Sequence, residues 1–160
     1  MTIYNSYINS NFNYCSVVWM LSNKTHFKKL ENTNKRALRF VTSKEHLSYE
    51  EICEQENQLN IQRKCIKSTA IMMYKIRKGL SPSYLNELFS IHATQYEMRD
   101  NERYSLPAFN TVQYGKNSIR YLGAKLWNNI PVNIKTSVSL NTFKSAIHKW
   151  LLTRDVTCIM

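Results

Sequence analysis

Glycine, proline and aspartate are scarce in this chain. Its 160 residues include three glycines, three prolines and two aspartates. Sheet folds rich in turns use glycine and proline at many of those turns, so the composition favours helices. The hydrophobic share of 43% and the aromatic share of 12% are typical of a globular chain. We therefore predict a mainly α fold, a bundle of about five to seven helices.

The shortage of carboxylates bears on catalysis. Asp100 and Asp155 are far apart in the sequence. Two-metal nucleotidyl transfer needs several carboxylates around metals that are about 3.5 to 4 Å apart. The sequence also contains no Gly-x-Ser-x-Gly turn and no glycine-rich phosphate loop. We predict that this chain alone is not an enzyme and has no catalytic residue, metal or cofactor.

Long apolar runs and paired cysteines are also missing. No apolar run exceeds five residues, which is too short to span a bilayer, and the first residues do not resemble a signal peptide. Cys15, Cys53, Cys65 and Cys158 include no Cys-x-x-Cys pair, which disfavours zinc and a disulfide framework. We predict an intracellular protein without a membrane partner, in which Cys15 and Cys65 are buried, reduced thiols.

Positive charge is abundant and is segregated along the sequence. There are 22 basic and 11 acidic residues. Seven Lys or Arg occur between positions 24 and 44 beside only Glu31, six occur between 63 and 78, and seven between 116 and 154. The last two segments contain no acidic residue, whereas five glutamates occur between 45 and 56. The segregation indicates an anionic partner; A/T-rich codon usage is the alternative source of the lysines.

The first basic segment has helical periodicity over residues 27–41, with one stripe suited to the core: Phe27, Leu30, Asn34, Ala37 and Val41. Lys28, Lys35 and Arg39 recur on one flank, and Lys29 with Arg36 lies one step around the helix. Such a row can follow a phosphate backbone. A solvated basic face without a partner is the alternative.

A second helix is predicted over residues 61–78, with Gly79 as its C-cap. Its predicted core stripe is Ile61, Cys65, Thr69, Met72 and Ile76, and four lysines lie near another face. Favourable interaction with the helix C-terminus is another explanation of the lysines nearest the end. The candidate nucleic-acid-binding residues of the two helices are Lys28, Lys35, Arg36, Arg39, Lys64, Lys67, Lys75 and Lys78.

Capping signals predict the shorter elements. Ser48 with Glu51 forms a capping box pattern, Ser81 with Pro82 predicts a short helix through Phe89, and Ser139 predicts the start of a final helix. Residues 103–114 are less regular. There we predict at most a short β-hairpin or an extended arm, in which Tyr104, Leu106 and Phe109 pair with residues 111–114.

The segment from residue 114 to 131 carries the most specific pattern. Asn117 or Ser118 can cap a helix that Pro131 terminates, and its apolar positions at helical spacing are Ile119, Leu122, Leu126 and Ile130. Trp127 is predicted to lie in the core. A glycine inside a helix costs about 1 kcal/mol relative to alanine, so Gly123 predicts the close approach of another backbone.

This segment resembles the C-terminal region of non-LTR (LINE-like, jockey-type) retrotransposon reverse transcriptases. The pattern is carried by Gly115, Ser118, Arg120, Tyr121, Gly123, Ala124, Leu126, Trp127, Asn128 and Pro131. Further similarity lies in residues 4–19, 30–31, 36–41, 74–76, 79–85 and 139–144, with Pro107 and Thr111. In that family this region follows the palm that carries the polymerase aspartates, and its first part resembles the thumb. The resemblance implies a helical thumb-like part over 1–90 and a C-terminal helical part with an irregular arm over 91–160, or one continuous domain.

Two functional hypotheses follow from the sequence. The first is a non-catalytic segment of an RNA-directed DNA polymerase that holds RNA or an RNA/DNA duplex through basic helix faces, with the upstream palm of the full-length protein as a second partner. The alternative is a helical protein-interaction or packing module without nucleic-acid binding, such as the remnant of a truncated element. Residues 1–10 favour the truncation, because Ile3, Tyr7 and Ile8 of an amphipathic helix need to be covered.

Overall fold

The computed structural model describes residues 1–22, 24–44, 46–91 and 103–153. Within these ranges the chain is mainly α and no strand forms, which confirms the predicted fold class. Two π-helical segments, Tyr4–Asn9 and Val112–Lys116, accompany the α-helices. These are α1 (Ser10–Asn13), α2 (Ser16–Trp19), α3 (Lys24–Thr42), α4 (Tyr49–Gln55), α5 (Ile61–Arg77), α6 (Ser83–Asn86), α7 (Ile119–Asn129), α8 (Val132–Lys135) and α9 (Leu140–Thr153).

The chain divides into two compact units, residues 1–68 and residues 69–160. This division falls inside α5, whereas the sequence predicts a boundary near residue 90, beyond the end of that helix. Ile61 and Cys65 of α5 are buried in the first unit. Ala70 and Met73 of the same helix are buried in the second. A single helix therefore supplies core residues to both units.

Two apolar clusters lie among the described residues of the first unit. One contains Tyr4, Leu38, Tyr49, Ile52 and Cys53. The other contains Phe12, Ile61 and Cys65, with Phe27 and Leu30 of α3 packed against it. Helix α3 contributes to both clusters along one face, because its apolar residues recur at the spacing of a helix. The predicted core stripe of this helix is confirmed, and Asn34 within the stripe is fully buried.

The second unit is centred on stacked aromatic rings. The Tyr74 and Phe143 ring centroids are 4.4 Å apart at an interplanar angle of 24°, and Trp127 lies 6.3 Å from Phe143. The Tyr74 hydroxyl donates a hydrogen bond to the Ser137 carbonyl at 2.8 Å. This bond satisfies the polar end of a buried ring, as buried tyrosines require. Trp127 is fully buried, so its predicted place in the core is confirmed.

The capping predictions for α4 and α9 are confirmed. Ser48 accepts a hydrogen bond from the Glu51 amide at 3.2 Å, and the Glu51 carboxylate accepts one from the Ser48 amide at 2.7 Å. Two amides at the start of α4 are thus satisfied by this reciprocal pair. The Ser139 hydroxyl accepts a hydrogen bond from the Thr142 amide at the start of α9. The core positions of α9 are fully buried: Phe143, Ile147 and Leu151.

The predicted end of α5 and the predicted start and end of α7 are also confirmed. Helix α5 ends at Arg77, and Gly79 follows in the left-handed region with a φ of +67°. Helix α7 begins after Ser118, whose hydroxyl accepts a hydrogen bond from the Tyr121 amide, and it ends before Pro131. Gly79 and Ser118 both act on the backbone of neighbouring residues. Such signals can therefore be identified in the sequence alone.

Gly123 is buried in α7, but side chains rather than a backbone approach it. A Cβ at this position would lie 3.0 Å from the Met73 sulfur and 3.4 Å from Cε1 of Phe89. The predicted close approach is therefore confirmed, but the prediction that a backbone would approach Gly123 is wrong. The apolar stripe of α7 is buried at Leu122 and Leu126, and Ile130 directly after the helix is also buried.

Of the two alternatives predicted for residues 103–114, a β-hairpin or an extended arm, the hairpin does not form. Residues 112–116 form a helical segment, and the one bridge seen in the described ranges joins Ile91 to Tyr104. The backbone of Tyr104 is instead satisfied by the Asn128 side chain, which accepts from its amide and donates to its carbonyl, both at 2.9 Å. A side-chain amide on α7 thus replaces the strand that a hairpin would have supplied.

The predicted helix from Ser81 to Phe89 is shorter than expected. Pro82 has an extended ψ of 142°, and α6 covers only Ser83–Asn86. Ser81 does not cap it, since its buried hydroxyl has no hydrogen-bond partner in the described ranges. After α6 the chain places Phe89 against Tyr104, with ring centroids 5.5 Å apart. Phe89 is therefore buried outside the helix in which it was predicted.

The cysteine predictions are confirmed in part. Cys65 is buried and forms no disulfide, but Cys15 is exposed and takes a left-handed φ of 50° between α1 and α2. Cys158 and both aspartates lie outside the described residues.

Among the residues that are described, no helix has the length and apolarity needed to cross a membrane. The same part of the chain contains no group of three side chains suited to hold a metal ion.

Candidate nucleic-acid interface

The orientation of α3 is fixed by a buried polar contact. Asn34 lies on the inner face of the helix and is fully buried. The Tyr4 hydroxyl donates to Asn34 Oδ1 at 2.7 Å, and Asn34 Nδ2 donates to the Tyr49 hydroxyl at 2.7 Å. Because these bonds are directional, rotating α3 about its axis would break both of them. The face opposite Asn34 is consequently held toward solvent.

Three cations stand on that outer face: Lys28, Lys29 and Arg36 are all exposed. A depression of about 330 Å³ lies beside them and is lined by Thr25, Lys28, Lys29 and Asn32. The rise of 1.5 Å per residue separates Lys29 from Arg36 by about 10 Å along the axis. We call Lys28, Lys29 and Arg36 the α3 basic face.

The other two predicted cations of α3 are less available. Lys35 is half-buried and lies close enough to Glu31 to oppose the rise in the pKa of that carboxyl, which burial and Glu50 cause. Arg39 is half-buried, and its Nη2 donates to the Leu47 carbonyl at 3.3 Å. The predicted row of Lys28, Lys35 and Arg39 is therefore exposed mainly at Lys28.

Lys64 departs most from the predicted surface position. It is only 6% exposed, and its Nζ donates to the Tyr4 hydroxyl at 3.1 Å and to Asn9 Oδ1 at 2.7 Å. Burial lowers the pKa of this lysine to about 8, and the nearby thiols of Cys53 and Cys65 oppose that change. Lys64 points into the first unit, so it does not extend a basic row on the surface of α5.

The remaining predicted cations of α5 differ in how exposed they are. Lys67, in the first unit, is half-buried. Lys75, in the second unit, is half-buried, and Lys78 beyond the helix end is exposed. The Nζ of Lys78 lies 5.9 Å from the centroid of the Tyr74 ring, within cation–π range. Of the eight candidates, Lys28 and Arg36 are the ones that the described part of the first unit exposes.

Sequence analysis missed two exposed residues of α3. Lys29 was recognised on the helix but was not among the candidate site residues, and Phe40 was assigned no role. Phe40 is 86% exposed. The signal for Lys29 was its helical position, since it lies on the same line as Arg36. The fixed position of Asn34 decides which of the two cationic rows faces outward.

Comparisons with known proteins do not place this chain in a family. No family model, no curated protein and no solved structure matches the chain.

Proposed function

We propose that this chain is a non-catalytic nucleic-acid-binding segment that holds RNA or an RNA/DNA duplex through the α3 basic face. The observation that carries the proposal is the exposure of Lys28, Lys29 and Arg36 on one side of a helix whose opposite side is fixed in the core. Phosphate contacts of this kind position a nucleic acid without reading its sequence.

The net positive charge of the whole chain also supports a nucleic-acid partner. The whole chain has a formal net charge of +11 at pH 7. A field of this sign raises the rate of encounter with a polyanion and retains it near the surface. The resemblance to the region after the palm of non-LTR reverse transcriptases agrees with this proposal. In a full-length RNA-directed DNA polymerase of that type, the palm would be a further partner.

One set of observations favours the alternative function, a helical interaction or packing module. Lys64 is buried, and Lys35 and Arg39 are half-buried, so the surface row is shorter than the sequence predicts. Ile3 and Tyr7 are 67% and 74% exposed, which leaves apolar surface for a protein partner. The two functions differ in their dependence on salt, because apolar contacts do not release counterions.

The test is binding of the purified chain to a labelled RNA/DNA duplex across a salt series. We expect the slope of log K against log salt to fall by about 2 in the double variant Lys28→Gln/Arg36→Gln, since each lost phosphate contact changes it by about 0.9. Both side chains are exposed, so folding should be unaffected. Circular dichroism checks that the variant retains its helices.

The matched control is the double variant Lys144→Gln/Lys149→Gln. It removes the same charge from exposed positions of α9. Affinity and slope should change less in the control than in the α3 variant. Equal losses in both variants, or equal affinity of the wild type for polyglutamate and for the duplex, would show that net charge alone is measured. Absence of binding at low salt would support the interaction module instead.

A further inference from the structure

Phe40 is an exposed aromatic ring on a helix whose other exposed side chains are polar or charged. It is 86% exposed, although it lies on the same helix as the fully buried Leu38. Isolated exposed apolar residues are common and need no explanation by themselves. The position of this ring relative to the α3 basic face is what points to a ligand.

Lys29, Arg36 and Phe40 lie on one line along α3. A helix turns about 100° per residue, so Lys29, Arg36 and Phe40 differ by no more than about 40° around the axis. Arg36 and Phe40 are one turn apart, a spacing that makes their side chains neighbours. All three are exposed. Two cations and then an aromatic ring thus follow one another along one exposed line of the helix.

This order of groups matches a nucleic-acid strand with unpaired bases. Cations bind the phosphates, whereas an aromatic ring gains by stacking on the face of a base. In a duplex those faces are already stacked on neighbouring pairs, so the ring would meet only sugar and phosphate. In a single strand the faces are open, and aromatic stacking is the usual mode of recognition.

The same line of residues is less suited to a membrane surface. An interfacial helix inserts a broad apolar face into the bilayer. The apolar face of α3 is already occupied, because Leu38 is buried in the first cluster and Ala37 and Val41 pack against it. Phe40 is the remaining large apolar side chain that α3 exposes.

We propose that Phe40 is a base-stacking residue and that the α3 basic face with Phe40 binds single-stranded nucleic acid in preference to a duplex. This inference rests on the proposed function, since it assigns a ligand class to the same face. Phe40 then supplies affinity that does not depend on salt, and Lys28, Lys29 and Arg36 supply the part that does.

The experiment compares the wild type with Phe40→Ala on a labelled single-stranded oligonucleotide and on an abasic sugar–phosphate strand of the same length. We expect the variant to bind the base-containing strand roughly 5- to 150-fold more weakly, the range for one base–aromatic stack, with an unchanged salt slope. Binding to the abasic strand should not change. Tyr14→Ala is the matched control, since Tyr14 is 75% exposed but lies outside α3.

A second variant, Phe40→Trp, gives a direct signal. Its added fluorescence, measured against the wild type, should be quenched by the base-containing strand and not by the abasic strand. Equal binding of Phe40→Ala and wild type, equal losses on both strands, or no quenching would each overturn the role of Phe40. If Lys28→Gln/Arg36→Gln still lowers the salt slope in that case, the proposed function stands and only this inference fails. A protein partner is then the explanation that the exposed ring favours.

Discussion

The ammonium group of Lys64 donates a hydrogen bond to the Tyr4 hydroxyl at 3.1 Å, and neither side chain is more than 6% exposed. Tyr4 in turn donates to Asn34, and Asn34 donates to Tyr49, so the bonds run in one direction through the first unit. Lys64 contacts neutral oxygens in these bonds, those of Tyr4 and Asn9. A buried charge held only by neutral groups is costly for the folded state.

Stability of the first unit should therefore depend on the protonation of Lys64. Its folded pKa, about 8, is below the value of 10.5 for an unperturbed lysine. The unfolded chain binds the proton more tightly, so stability rises with pH as the folded lysine loses its charge. Between about pH 7 and pH 9 we expect this group to add roughly 1 kcal/mol to the free energy of unfolding.

Urea unfolding of the wild type and of Lys64→Met at several pH values measures this contribution. Subtracting the two profiles removes the titration of groups that both proteins share and that do not interact with Lys64. The free energy of unfolding of the wild type, relative to that of Lys64→Met, should increase as pH increases. A difference that is independent of pH would mean that Lys64 is not buried as a charge.

Asn34 should be far more important for stability than its exposed neighbour Asn32. Replacing Asn34 with alanine removes the acceptor of the Tyr4 hydroxyl and a donor to the Tyr49 hydroxyl, both buried. We expect a loss of about 2 to 4 kcal/mol, because each unsatisfied buried group costs about 1 to 3 kcal/mol. Asn32→Ala, at an exposed position of the same helix, should change stability by less than about 0.5 kcal/mol. Thermal and urea unfolding of the two variants test this contrast.

Alanine variants of Asn128 and Asn129 give a second comparison between a hydrogen-bonded asparagine and its exposed neighbour. Asn128→Ala removes both hydrogen bonds to the backbone of Tyr104, whereas Asn129 is exposed at the end of α7. We expect a loss of about 1 to 3 kcal/mol at position 128 and little change at 129. Amide hydrogen exchange provides a local measurement: the Tyr104 amide should exchange faster in Asn128→Ala only. Unchanged exchange would contradict the pairing.

Substitution at Gly123 should depend on the size of the new side chain. Alanine improves helix propensity by about 1 kcal/mol, but its Cβ would lie 3.0 Å from the flexible end of Met73. Since Met73 can move by a few tenths of an ångström, we expect a small net change. Valine adds two methyl groups beside Phe89 and should destabilise the second unit by about 1 to 3 kcal/mol. Comparing the melting temperatures of Gly123→Ala and Gly123→Val tests the order.

The sequence predicted the features that depend on neighbouring residues. The caps at Ser48, Ser118 and Ser139 and the left-handed Gly79 act within one helical turn, so a single sequence contains all their partners. The core stripes of α3 and α7 were predicted for the same reason, because periodicity is a local property.

Features that depend on distant partners were not predictable in this way. On the helical pattern Lys64 belongs to a polar face, and only the positions of Tyr4 and Asn9 show that this face is covered. Tyr104 has the pattern of a strand residue and bridges to Ile91, but its own amide and carbonyl bond to the Asn128 side chain on α7. The exposed row of α3 likewise depends on the bonds of Asn34, which set the rotation of the helix.

The pairing of Asn128 with Tyr104 also has a kinetic consequence. Residues 103–111 form no helix or strand, and Asn128, which bonds to the Tyr104 backbone, is 24 positions further along the chain. Asn128 presents its amide in a fixed direction only after α7 has formed. Closing the intervening loop before that moment costs entropy without the two bonds in return. We therefore expect an order of assembly in which α7 forms first and the segment around Tyr104 docks afterwards, so one side chain sets the sequence of folding events for the chain before it.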